Sequence, residues 1–156
     1  SNEDANSSVL GTNTYETIIQ TSVPVLCVPP FARFEPISCF AFLTVFHPNE
    51  KKSLDLLLDI AFRKQIKVKC IYVDNKNEKY QNVLNEWKQY FDHDLIEFVV
   101  LKEKSATQAV KDYLLNNEIG MIATVKRNQT FFDSLLNPSF TKALAKNIKI
   151  PLLACK

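Results

Sequence analysis

Glycine is nearly missing from this sequence: among 156 residues there are two, Gly11 and Gly120. A dinucleotide fingerprint or a P-loop needs several glycines together, because the backbone must approach phosphate closely and adopt positive φ. Neither motif can be built here. Histidine is as scarce, with only His47 and His93, so a histidine-based metal site would need distant partners. The four cysteines, Cys27, Cys39, Cys70 and Cys155, form no C-x-x-C pair and stand in apolar, strand-like contexts. A free thiol there serves as a small hydrophobe. Neither a disulfide framework nor a zinc or other metal site is expected, and a reducing, cytoplasmic setting fits this usage.

Net charge is small as well. Nineteen basic residues against 17 acidic leave +2, which gives no electrostatic ground for nucleic acid or an anionic membrane surface as partner. Long apolar runs are absent. CFAFLTVF at 39–46 is the longest, far short of the roughly 20 residues of a membrane span. The first residues, SNEDANSS, lack the charged-then-apolar order of a signal peptide.

What is present is ordinary globular composition, 46% apolar and 23% charged, with length for one domain and its own core. From residue 37 the chain alternates between two periodicities. ISCFAFLTV (37–45) is a continuous apolar run of the kind a strand covered on both faces shows. Asn49 then stands ready to cap a helix in which Leu54, Leu57, Leu58 and Ala61 recur at helical spacing. Strands are expected at 68–73, 95–101, 119–125 and 150–155. Between them helices are expected at 77–91, 106–117 and from Pro138 or Ser139 to about Asn147. Within the second of these four helices, Tyr80, Val83, Leu84, Trp87 and Phe91 share a face, and Trp87 reads as core packing. Such alternation implies an α/β fold, a doubly wound parallel five-stranded sheet with helices on both faces. Ligands of such sheets bind at the carboxyl ends of the strands. Here these are Val45–Pro48, Val73–Lys76, Leu101–Lys104 and Val125–Asn128.

The front of the chain repeats its end. VLGTNTYETIIQTSVPVLCVP (9–29) aligns without a gap on LNPSFTKALAKNIKIPLLACK (136–156), at an offset of 127 residues. Val23-Pro24-Val25-Leu26 then meets Ile150-Pro151-Leu152-Leu153. One repeat at roughly a domain's length implies a duplicated domain rather than a solenoid, whose periods are shorter.

With GTNT…SVPVLCV in the first copy and PSFT…KIPLLAC in the second, on a βαβα order, the chain resembles the universal stress protein family. The resemblance implies an adenine nucleotide alpha hydrolase-like fold. It divides the chain into 1–36, the helix, last strand and linker of a preceding domain, and 37–156, a whole domain. It also implies that the last strands pair, placing Val23, Val25 and Cys27 against Ile150, Leu152 and Ala154, within the chain or across a homodimer.

Many members of the family bind ATP through a loop G-x2-G-x9-G-[ST] after the fourth strand, whose backbone N–H groups reach the phosphates. The resemblance puts Val125, Asn128 and Pro138 at the three glycine positions, and keeps only the hydroxyl, at Ser139. Proline there removes a donor and fixes φ. The family's Asp after the first strand falls near His47-Pro48, where no Asp stands. The degenerate site would then comprise His47, Val73, Val125, Lys126, Arg127, Asn128, Ser139 and Thr141. No cofactor is expected on this reading, although ATP or another nucleotide is an alternative. The leading expectation is a non-catalytic stress-response module acting through domain pairing or dimerisation. The competing one is a nucleotide-responsive binder or weak ATPase that uses Lys126 and Arg127 beside Ser139.

Overall fold

The computed structural model describes residues 12–29, 32, 35–76, 79–126 and 150–156. In chain order these form α1 (Thr12–Gln20), β1 (Val25–Cys27), β2 (Cys39–Thr44), α2 (Glu50–Lys64) and β3 (Lys67–Asp74). They continue with α3 (Gln81–Tyr90), β4 (Ile96–Lys102), α4 (Ala106–Asn116), β5 (Met121–Val125) and β6 (Leu152–Cys155). The helix expected at about 138–147 lies outside the described residues. The strands make one sheet in the order β1-β6-β5-β2-β3-β4. Neighbours from β6 to β4 are parallel, and β1 alone runs antiparallel, along β6. The sheet thus has the five parallel strands expected of it plus one antiparallel edge strand.

Both faces of the sheet are covered, which is why β2 and β5 read as unbroken apolar runs. Alternate residues serve opposite layers. On one face Ala41, Leu43, Ile71, Ile122 and Ala154 pack under Ile18 of α1 and Val110 and Leu114 of α4. On the other, Phe42, Val68, Cys70 and Ala123 pack under Leu54 and Leu57 of α2 and Leu84 and Trp87 of α3. Trp87, 1% exposed, is the largest fully buried side chain.

The chain order places the switch point between β2 and β5. β2, β3 and β4 proceed outward on one side of it, and β5 and β6 on the other.

Two departures from expectation have local causes. α3 starts at Gln81, later than the apolar spacing from 77 suggests, with Tyr80 at its N-cap making no side-chain capping bond. The Tyr80 ring packs instead on Tyr72 of β3, 5.3 Å between centroids. At the front, the pairing of β1 with β6 covers only Val25–Cys27 and Leu152–Ala154, because Pro24 and Pro151 offer no N–H to a ladder.

Scarcity of glycine leaves side-chain-bearing residues at left-handed positions. Phe46 has φ 59° and Gln65 φ 55°. Gln65 ends α2, its backbone N–H donating to the Phe62 carbonyl at 3.3 Å. Gly120 serves a different need, close approach. Its N–H donates to the Cys39 carbonyl at 2.9 Å, and a Cβ there would stand 2.5 Å from Ile37 Cγ2.

A methyl at position 120 therefore forces Ile37 aside. We expect Gly120→Ala to cost about 1–3 kcal/mol in urea unfolding, and clearly less in an Ile37→Ala background. Equal costs in both backgrounds would disprove the contact.

Candidate functional site

The carboxyl end of β2 is organised by one carboxylate. Glu50, the first residue of α2, is 3% exposed and folds back over the turn that precedes it. Its Oε2 accepts from the Thr44 hydroxyl at 2.5 Å, from the Val45 N–H at 3.2 Å and from the His47 N–H at 3.2 Å. The Thr44 Oγ1 in turn accepts from the Phe46 N–H at 2.8 Å. Asn49 does occupy the N-cap position, but its backbone is αR and its side chain makes no capping bond. The Glu50 side chain instead binds the turn that leads into the helix. Burial is the largest influence on this carboxyl and raises its pKa above the ordinary glutamate value; the hydrogen bonds from Thr44, His47 and Val45 pull downward without cancelling it.

The turn puts Phe46 into the core. Its ring, 6% exposed, stacks on Tyr72 at 4.8 Å and meets the edge of Trp87 at 5.2 Å. A left-handed conformation costs an L-residue roughly 1–2 kcal/mol. Burying a phenyl ring returns roughly 1.5–3 kcal/mol, and the aromatic contacts add to it. Packing wins over strain, and the end of β2 nearest β3 is filled by the protein's own side chain.

The site residues implied by the sequence distribute as follows. His47 is exposed, and its Nδ1 accepts from the Asn49 N–H at 3.2 Å, bracing the loop. Val73 is buried on the α1/α4 face, and Val125 on the α2/α3 face. Lys126 points its ammonium at the Thr21 carbonyl behind α1, while its N–H donates to the Cys155 carbonyl at 2.9 Å. Arg127, Asn128, Ser139 and Thr141 lie outside the described residues, so the proposed anion grip of Arg127 with Ser139 does too.

Sequence reading missed four polar residues near the carboxyl ends, Thr44 among them. Besides Thr44 and Glu50 these are Asp74, at the end of β3 and 8% exposed, and Thr124 on β5, 0% exposed. Asp74 Oδ1 and Thr124 Oγ1 are buried without a hydrogen-bond partner among the described residues. Their positions in strands carry the only sequence signal: a carboxylate and a hydroxyl where an apolar run ends.

The pairing strands come together inside this chain. Val25 lies opposite Ala154, Leu26 opposite Leu153 and Cys27 opposite Leu152. Val25 and Cys27 are half-buried, Leu152 and Ala154 buried, Ile150 half-buried beside them, and Val23 exposed beyond the strand. The offset of 127 residues maps Leu26 onto Leu153, the pair at the centre of this register. A local two-fold axis therefore relates the two paired strands.

All four cysteines are free. Burial raises the pKa of each, with Cys155 pushed up to about 11, so none carries thiolate reactivity near neutrality. No three His, Cys, Asp or Glu side chains converge on a metal-sized space among the described residues. No helix among them is long and apolar enough to cross a membrane.

No protein-family model matches the sequence, and no curated protein matches it. Among solved structures, a universal stress protein from Archaeoglobus fulgidus DSM 4304 superimposes with a TM-score of 0.67 at 12% identity. The match covers 92% of this chain and 53% of that one, so this chain spans about half its neighbour's length. The fold is that of a universal stress protein.

The Glu50 network makes a pH-dependent prediction. Burial penalises the charged form in the folded state, so this stabilising contribution is complete below the ordinary glutamate value. It is lost as pH rises through the raised, folded-state pKa. The stability of wild type relative to Glu50→Gln should therefore fall as pH rises above the ordinary glutamate range in chemical unfolding. Glu50→Ala, which strands three donors, should cost about 2 kcal/mol or more.

Proposed function

We propose that this chain is a universal stress protein-like module that works through association of domains and does not bind ATP in the family's usual way. The observation that carries this reading is the self-occupied carboxyl end of β2. The donors there, the Thr44 hydroxyl and the N–H groups of Val45 and His47, are taken by Glu50. The adjoining space holds the Phe46 ring. Lys126, the one described cation of the implied phosphate loop, is engaged by Thr21. Val125 at a glycine position and the missing Asp near His47 point the same way. No acid–base or nucleophile constellation among the described residues supports hydrolysis.

Association is supported by the two-fold relation of β1 and β6. Such self-complementary pairing is how two copies of one domain meet across an isologous interface. Here residues 1–36 would supply the partner strand, as the tail of a preceding domain in a tandem protein of the stress response. Homodimerisation is the intermolecular version of the same contact.

One observation favours a second reading, a nucleotide-responsive binder with an altered loop. Asp74 Oδ1 and Thr124 Oγ1 are buried polar atoms with no partner among the described residues, near the end of the sheet where ligands of this fold class bind.

Thermal-shift and calorimetric titrations with ATP, AMP and cyclic nucleotides separate the two. We expect no saturable stabilisation by any of them. Saturable binding that is lost on Asp74→Asn or Arg127→Ala would replace the first reading with the second.

A further inference from the structure

The two edges of the sheet are treated differently. One is closed by antiparallel addition, with β1 laid along β6. The other ends at β4, and among the described residues no strand lies beyond it. β4 is seven residues long, and its ladder with β3 runs unbroken from Val68 opposite Ile96 to Asp74 opposite Lys102. It is also the least covered of the five parallel strands. β2 and β5 are buried at every residue, whereas no residue of β4 is, and Phe98, Val99, Val100 and Leu101 are all half-buried.

Edge strands are commonly blunted by shortness, proline, a bulge or charge. Over Phe98-Val99-Val100-Leu101 the strand has none of these, and its charges, Glu97 and Lys102, stand only at its two ends. A parallel edge strand turns alternate N–H and C=O groups outward, so the partner it fits is another extended chain.

Charge along the strand selects that chain and its direction. Asp92, Asp94 and Glu97 make the amino end acidic, while Lys102 and Lys104 flank Glu103 at the carboxyl end. A second β4 laid parallel would set like charges together. Laid antiparallel, it brings the acidic end of each copy beside the lysines of the other, with the apolar run of each against that of its partner. We propose that β4 is a homodimerisation edge, at which the β4 strands of two copies of this chain pair antiparallel about a two-fold axis and join their sheets. The axis stands perpendicular to the sheet, so the α2/α3 layers of both copies share one face and their α4 layers the other. This contact is separate from the association of β1 with β6, because it uses the opposite edge.

Sedimentation velocity of the whole chain over a concentration series tests it, and a reversible monomer–dimer equilibrium is expected. Two charge-reversed chains supply the specific test: one carries Asp92→Lys and Asp94→Lys, the other Lys102→Glu and Lys104→Glu. Each alone should self-associate about tenfold more weakly or worse, and mixing the two should restore a dimer. All four positions are exposed, so both chains should keep the wild-type unfolding midpoint in urea. Amides of Phe98 to Leu101 should gain protection from hydrogen exchange as concentration rises. A monomer at every concentration, a dimer unmoved by either reversal, or a mixture that fails to pair would each overturn the proposal. Concentration-dependent protection of Val25 to Cys27 in place of β4 would overturn it as well.

Discussion

The bond network of one buried carboxylate sets the geometry at the ligand-binding end of this sheet. The chain must leave β2, reverse and start α2 within five residues, and it has no glycine there to make the bend easy. Glu50 supplies the constraint by gathering three donors that the turn would otherwise strand. With the Thr44 hydroxyl fixed between Glu50 and the Phe46 N–H, Phe46 is held left-handed and its ring is turned inward. The ring then fits between Tyr72 on β3 and Trp87 on α3. Removing the carboxylate would therefore loosen a helix start, a strained residue and an aromatic stack together. The desolvation that raises its pKa is the cost of this arrangement, offset by three hydrogen bonds and a packed ring.

That network explains why the fold was legible in the sequence and the site was not. Strands and helices announce themselves by periodicity, and the α2 and α4 stripes and the β2, β3 and β5 runs lie within a residue or two of where their spacing puts them. Such signals are averages over many side chains. The Glu50 network depends on one side chain reaching backward three, five and six positions, a pattern that no propensity rule encodes. By residue type Asn49 is the better cap, but the preceding turn offers donors that a longer acidic side chain can collect and asparagine cannot. Thr44 and Phe46 were hidden in the same way, inside a run whose apolar average described the strand correctly. Asp74 and Thr124 were hidden by being single polar residues in buried strands.

The edge pairing of β1 with β6 follows a different logic, because the family resemblance carried by the two repeats implied it. The two strands, Val25-Leu26-Cys27 and Leu152-Leu153-Ala154, are apolar throughout and share the central leucine. An antiparallel register centred on that leucine relates them by a local two-fold axis. The central pair here is Leu26 with Leu153, one residue and its own repeat. β6 would otherwise be an exposed parallel edge with free N–H and C=O groups, a surface that invites unplanned pairing. Covering it with three residues of β1 satisfies that edge. The Lys126 ammonium on the Thr21 carbonyl ties the covering unit to the body of the sheet at its other end.

The same unit changes what the amino end of the sheet can do. In a lone doubly wound domain the amino ends of the strands carry no long connection across them from an added element. Here the chain leaving β1 passes those ends on its way to β2, and Leu26, Val28 and Ile37 from it line a groove with Ile119, Met121 and Pro151 of the domain. The hollow is therefore a product of the added strand, not a property of the five-stranded fold. Because β1 is antiparallel to β6, its carboxyl end, with exposed Val28, must arrive at the amino end of β6. Register alone thus dictates that the added unit closes an edge and opens a groove in one step.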